Sequence, residues 1–127
     1  MFRWPRLPVI IISPQGVAAA ADRRQLARVL AGLPESSDAW DVRVVDPTGW
    51  EFWFSTKDHV LAPGFAVKRW TKRQLIDLYN ESRHGDQRRY EVVSLQNYRF
   101  ERIVNEIARL VTLNTGRHES KQKSDIP

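Results

Sequence analysis

The chain of 127 residues contains no cysteine. This absence excludes disulfide bonds, thiolate zinc sites and cysteine nucleophiles, and it favours a cytoplasmic location over a disulfide-stabilised secreted scaffold. Histidine is scarce as well. The three histidines are His59, His84 and His118, and no two of them stand at a spacing typical of metal ligands. The sequence therefore predicts no metal site and no cofactor.

Long hydrophobic runs are also absent. The longest apolar stretch near the N-terminus covers residues 7–12, whereas a helix that crosses a bilayer needs about 20 apolar residues. Residues 1–21 place Arg3 and Arg6 before this stretch and alanines after it, as a signal segment would. However, Pro8 interrupts the stretch, which favours a strand. We expect no association with a membrane.

The composition is that of an ordinary globular protein, with 42% hydrophobic and 28% charged residues. The length suits one domain. We predict a single α+β domain over residues 1–114. Residues 115–127 are polar and charged, and we predict that they form a disordered tail.

The clearest local pattern is a β-hairpin. Residues 40–45 and 50–55 alternate in hydrophobicity on either side of the Asp-Pro-Thr-Gly turn at 46–49. Successive side chains of a strand point to opposite faces. Trp53 should therefore lie on the face opposite to the other aromatic residues of its strand, Phe52 and Phe54.

The other elements follow from hydrophobic periodicity and capping signals. A first helix begins either at Pro14 after Ser13, or after Asp22 with Gln25 as its capping partner, and ends at Gly32. The remaining predicted elements are a strand at 9–12 buried on both faces, a helix that opens with the capping box Thr71–Gln74, a strand at 89–95, a helix at 97–113 and, as an open alternative, a strand at 65–69.

These elements give the order β-α-β-β-α-β-α. The first six match a ferredoxin-like arrangement. We therefore expect an α+β fold in which a four-stranded antiparallel sheet carries its helices on one face, with a C-terminal helix appended. Other small α+β sandwiches share this order, especially if residues 65–69 form a strand.

The aromatic hairpin suggests the first candidate function. If helices cover only one face of the sheet, Trp53 faces water with Val45 close by, unless the N-terminal segment or the third helix covers that face. Exposed tryptophans are enriched at binding hot spots. We predict a non-enzymatic binding module that engages a protein partner or a second copy of the chain through Trp53 and Val45.

A basic segment suggests an alternative. Residues 68–89 hold seven basic and three acidic residues, a net charge of +4 out of +5 for the chain. Basic side chains at a helix N-terminus oppose the helix dipole, so helix stability does not explain them. The segment could instead bind a nucleic-acid backbone. The candidate contacts are Lys68, Arg69, Lys72, Arg73, Arg83, Arg88 and Arg89.

A second alternative is a small hydrolase or nuclease. His59 follows Asp58, and His84 precedes Asp86, so either histidine could act as a general base. No set of residues has the mutual spacing that defines an active site. We therefore assign no catalytic residue and do not expect an enzyme.

Overall fold

A computed structural model describes residues 4–35, 41–63, 69–82 and 88–111. In this part of the chain a five-stranded antiparallel sheet carries three helices. The elements are β1 (Val9–Ser13), β2 (Gly16–Ala20), α1 (Arg23–Ala31), β3 (Val42–Val45), β4 (Glu51–Ser55), β5 (Val60–Pro63), α2 (Lys72–Ser82) and α3 (residues 100–111), with a 3₁₀ turn at Leu95–Asn97 before α3.

The order of strands in the sheet is β2-β1-β3-β4-β5, with every neighbouring pair antiparallel. The expected four-stranded, ferredoxin-like order is therefore wrong. One reason is that residues 16–20, placed in the first helix or its approach by sequence, form β2. Gly16 takes a φ of 127°, which lets the chain reverse directly after β1. The other reason is β5, which was not predicted.

The predicted strand at 89–95 is also wrong, because residues 88–94 form no strand. Their backbone bonds to α2 instead. The Asn80 side chain accepts from the Tyr90 N–H at 2.8 Å and donates to the Tyr90 carbonyl at 3.0 Å. The Tyr79 hydroxyl donates to the Arg88 carbonyl at 2.6 Å. Of the suggested strand at 65–69 only Arg69 is described, and it is irregular; residues 115–127 lie outside the described ranges.

Helices cover both faces of the sheet, so the expectation of helices on one face is wrong. Val9 and Ile11 of β1 pack in the cluster that contains Leu26 and Leu30 of α1. Ile10 and Ile12 pack on the opposite side, where α2 and α3 contribute the apolar residues. The prediction of a first strand buried on both faces is confirmed. The second cluster includes Val45, Leu75, Ile76, Tyr79, Ile103, Val104, Ile107 and Val111.

The local predictions that depend on capping are confirmed. Helix α1 begins after Asp22, not at Pro14, and the Asp22 carboxylate accepts from the Gln25 N–H at 2.8 Å. At α2, Thr71 Oγ1 accepts from the Gln74 N–H at 3.2 Å, while Gln74 Oε1 accepts from the Thr71 N–H at 2.9 Å. At the N-terminus of each of these two helices, the cap thus pairs backbone N–H groups that have no acceptor within the helix.

The predicted hairpin is formed by β3 and β4, and its turn depends on the buried carboxylate of Asp46. Oδ1 accepts from the Thr48 N–H at 2.9 Å, the Thr48 hydroxyl at 2.5 Å and the Trp50 N–H at 3.1 Å. Oδ2 accepts from the Arg6 N–H at 3.3 Å. Gly49 takes a φ of 88°, as the turn requires. One carboxylate therefore closes the turn and ties the N-terminal segment to it.

Replacing Asp46 by alanine should lower the free energy of unfolding by about 2–3 kcal/mol, because buried donors left without an acceptor cost about 1–3 kcal/mol. Urea unfolding measures the change. The control is Asp22→Ala, which removes an exposed helix cap worth about 1 kcal/mol. A loss for Asp46→Ala no larger than that for Asp22→Ala would contradict this role.

The Tyr90 hydroxyl donates to the Glu106 carboxylate and so fastens the 88–94 loop to α3. Burial, and then this hydrogen bond, raise the pKa of Tyr90 above its ordinary value. The unfolded chain releases this proton near pH 10, whereas the folded chain retains it. The contribution of Tyr90 to stability is therefore fully present below pH 10 and is lost as the pH rises above 10.

We expect the free energy of unfolding to fall as the pH rises above about 10, the ordinary tyrosine pKa, and to continue falling toward the raised pKa of Tyr90 in the folded chain. The Tyr90→Phe variant should show a smaller fall than the original chain. Chemical unfolding at several pH values tests this. An equal fall in the Tyr90→Phe variant would show that Tyr90 is not its source.

Candidate binding groove

An apolar groove of about 730 Å³ runs between α1 and the β4–β5 hairpin. Its floor is continuous with the core, because Leu26, Leu30 and Phe54 are buried members of the α1-side cluster. Its rim is not buried: Val60 is 47% exposed and Trp4 is 50% exposed. The remaining lining residues are Arg23, Arg24, Ala27, Ala31, His59 and Leu61.

Clefts lined mainly by apolar side chains are typical ligand-binding sites. Here an apolar strip leads from the core at Phe54 to the exposed Val60. Ala27 and Ala31 on α1 are exposed and small, so they leave room between the helix and the hairpin. The groove can therefore accept apolar side chains from outside the described part of the molecule.

The charged groups that line the groove are basic. Arg23 and Arg24 stand in the first turn of α1, which has no acidic residue. The Arg23 guanidinium lies over the Trp4 ring, 5.4 Å from its centroid. His59 has a φ of 55°, and its ring lies edge-on to Phe54, with the centroids 5.9 Å apart. Because arginine in a first turn opposes the helix dipole, these arginines are not explained by helix stability.

Strand β5 forms one edge of the sheet. Among the described residues it pairs only with β4. An edge strand presents backbone N–H and C=O groups to which another extended chain can pair. The groove therefore adjoins two kinds of binding surface: apolar side chains on its floor and backbone groups along its edge.

The structure places the predicted partner contacts, Trp53 and Val45, away from the groove. Val45 is 0% exposed and packs beneath α2 and α3, so it offers no surface to a partner. Trp53 is half-buried on the sheet face opposite to the groove. Its Nε1 donates to Glu51 Oε2 at 2.6 Å.

Trp53 belongs to a polar cluster centred on Glu51, whose side chain is 10% exposed. The Glu51 carboxylate also accepts from Trp70 Nε1 at 3.0 Å and lies 3.7 Å from an Arg43 nitrogen. The Arg43 guanidinium stacks on the Trp70 ring, 5.4 Å from its centroid. These contacts join β3, β4 and the start of α2, so we assign the cluster a structural role.

Three of the five described basic residues of the 68–89 segment are engaged by groups of the domain itself. The Arg69 guanidinium lies over the Trp50 ring at 5.0 Å. Lys72 donates to the Leu95 carbonyl at 3.1 Å. Arg89 lies 3.5 Å from Glu91, and Arg73 lines the same shallow pocket as Arg89, together with Asp77 and Glu91. Arg88 is exposed, whereas Lys68 and Arg83 lie outside the described ranges.

Of the histidines, only His59 is described; His84 and His118 lie outside the described ranges. In residues 4–35, 41–63, 69–82 and 88–111, no group of three or more histidine, aspartate or glutamate residues is arranged to hold a metal ion. The same ranges contain no helix long and apolar enough to cross a membrane. Neither observation identifies a catalytic centre around His59.

Comparison of the chain with protein-family models, with curated proteins and with solved structures finds no match in any of the three. The function of the groove must therefore be inferred from its own geometry and chemistry. The groove was not predicted from the sequence because β5, which forms one of its walls, was not predicted. The signal was present: residues 60–63 are apolar and follow a polar loop directly after β4, which is the pattern of a hairpin strand.

Replacing Glu51 by glutamine should lower the free energy of unfolding by about 1–2 kcal/mol, because a half-buried indole N–H then loses a charged acceptor. The emission of Trp53 and Trp70 should change with it. Urea unfolding followed by tryptophan fluorescence measures both effects. In the control, Glu91→Gln breaks an exposed ion pair, which is worth about 0–1 kcal/mol. Equal effects of the two substitutions would contradict the structural role of Glu51.

Proposed function

We propose that this domain is a protein-binding module that holds a segment of another protein in the groove between α1 and β5. The observation that carries the proposal is the apolar floor, which opens to the surface at Val60 and Trp4 along the sheet edge. Apolar clefts with a few polar groups at the rim are typical binding sites. The proposal keeps the binding function predicted from the sequence but moves it to a different surface.

An extended segment suits this site. It can pair with the backbone of β5 while alternate side chains enter the groove, which is a recurring mode of peptide recognition. Pro63 has no backbone N–H and ends β5, so pairing is limited to the first residues of the strand. The apolar contacts then contribute much of the affinity, and the backbone contacts determine the direction in which the bound chain runs along β5.

The groove is better supported than the basic segment as the main binding surface. Binding to a nucleic-acid backbone relies on several cations acting on one surface. Three of the five described cations of the 68–89 segment, Arg69, Lys72 and Arg89, are instead engaged by an indole ring, a backbone carbonyl and a glutamate of the domain itself. The groove, by contrast, combines exposed apolar side chains with an edge strand at one place.

Panning a display library of random peptides tests the proposal. The peptides are about 12 residues long, so that in extended form they exceed the length of β5. The domain should enrich peptides whose affinity falls at least about tenfold for the Val60→Glu variant, because binding would bury an unpaired carboxylate. The matched control is Val93→Glu. Val93 is fully exposed and lies outside the groove, so this variant should bind as the original domain does.

Circular dichroism and urea unfolding must show that both variants remain folded. Failure to enrich any peptide contradicts the proposal. So does enrichment of peptides that bind the Val60→Glu and Val93→Glu variants equally well, since the groove would then not be the site.

A further inference from the structure

We infer that the segment held in the groove is acidic as well as apolar. This inference rests on the proposed function and adds the chemical class of the partner. Its basis is the sign of the charges: the described lining contains Arg23, Arg24 and His59 but no aspartate or glutamate.

The basic groups stand on both walls of the groove. Arg23 and Arg24 belong to α1, and His59 immediately precedes β5 on the facing wall. Two acidic residues lie next to this set without lining the groove. The Asp22 carboxylate caps α1 through the Gln25 N–H, and Asp58 is exposed in the loop before His59. A segment lying in the groove therefore meets two arginines on one wall and an imidazole on the other, with no lining carboxylate among the described residues.

Arg23 is held in a position suited to a carboxylate. Stacking over Trp4 restricts the guanidinium, and a planar guanidinium can donate two parallel hydrogen bonds to one carboxylate. Because the floor beside it is apolar, an acidic side chain next to apolar side chains would match the surface. A carboxylate near the first turn of α1 also interacts favourably with the helix dipole.

The same charges disfavour two other occupants. A second copy docked groove to groove would bring Arg23 and Arg24 of both molecules into one interface without lining carboxylates to pair with them, because a two-fold contact uses the same patch on both molecules. The net charge of +5 adds to this repulsion. A basic peptide would meet the same repulsion. An acidic apolar segment of a different protein avoids both.

The experiment uses peptides enriched in the panning described above. Their sequences should contain more aspartate and glutamate than the unselected library. The tightest peptide is then synthesised in two forms, one as selected and one with every Asp replaced by Asn and every Glu by Gln. The domain should bind the acidic form at least about tenfold more tightly at low salt, and the difference should shrink as salt screens the charges.

The double substitution Arg23→Glu with Arg24→Glu should remove this preference. The control is Arg99→Glu with Arg109→Glu, two exposed positions on and before α3 that change the net charge equally and lie outside the groove. The control should keep the preference. Equal loss in both double variants would attribute the effect to overall charge and overturn the inference.

The failures of the two proposals are distinguishable. Peptides that lack an acidic bias, or bind equally as acid and amide, but still require Val60 would overturn the acidic partner and leave the protein-binding groove in place. Peptides that do not require Val60 would overturn both.

A dimer in light scattering that dissociates on Val60→Glu would assign the groove to a second copy. If a single-stranded oligonucleotide displaces the acidic peptide, and this displacement requires Arg23 and Arg24, the groove would be assigned to phosphate binding.

Discussion

The double burial of β1 is the constraint on which the rest of the structure depends. Residues 9–12 point alternately to both faces of the sheet, and all four are buried, so both faces need a covering layer. Helices α2 and α3 cover one face, while in the described part of the chain α1 is the helix on the other. Five strands about 4.8 Å apart span about 20 Å, whereas one helix is about 10 Å wide. The groove lies in the part of the sheet width that α1 does not span.

The sequence allowed prediction of the elements that are determined by near neighbours. The turn at 46–49 and the caps at Asp22 and Thr71 depend on residues within four positions, so their patterns are readable without a fold. Strand β2 could not be predicted in this way. Alanine favours helix intrinsically, and only pairing with β1 makes residues 16–20 extended. The loop at 88–94 has the composition of a strand, but the Asn80 side chain pairs with the backbone N–H and carbonyl of Tyr90 within it.

The candidate site was harder to predict because it depends on which face each element covers. With helices on both faces, the face of Trp53 is not an open surface, and Glu51 engages its indole. The groove needs the register of β5 against β4, the path of α1 over the sheet and the position of Trp4. The path of α1 and the position of Trp4 depend on contacts that are distant in sequence. Only the apolar residues at 60–63 gave a local indication of the groove.

The groove also draws together segments that are distant in the chain. Trp4 reaches α1 because the Arg6 N–H is held by Asp46, the residue that closes the β3–β4 turn. The opposite wall belongs to β5, which is placed by its register with β4. An occupant would therefore bridge the N-terminal segment, α1 and the sheet edge at once. Because such a ligand binds the folded chain and not the unfolded one, its binding free energy adds to the stability of the fold. Exposure of the apolar rim to water is unfavourable for the free domain, and an occupant of the groove would bury this surface.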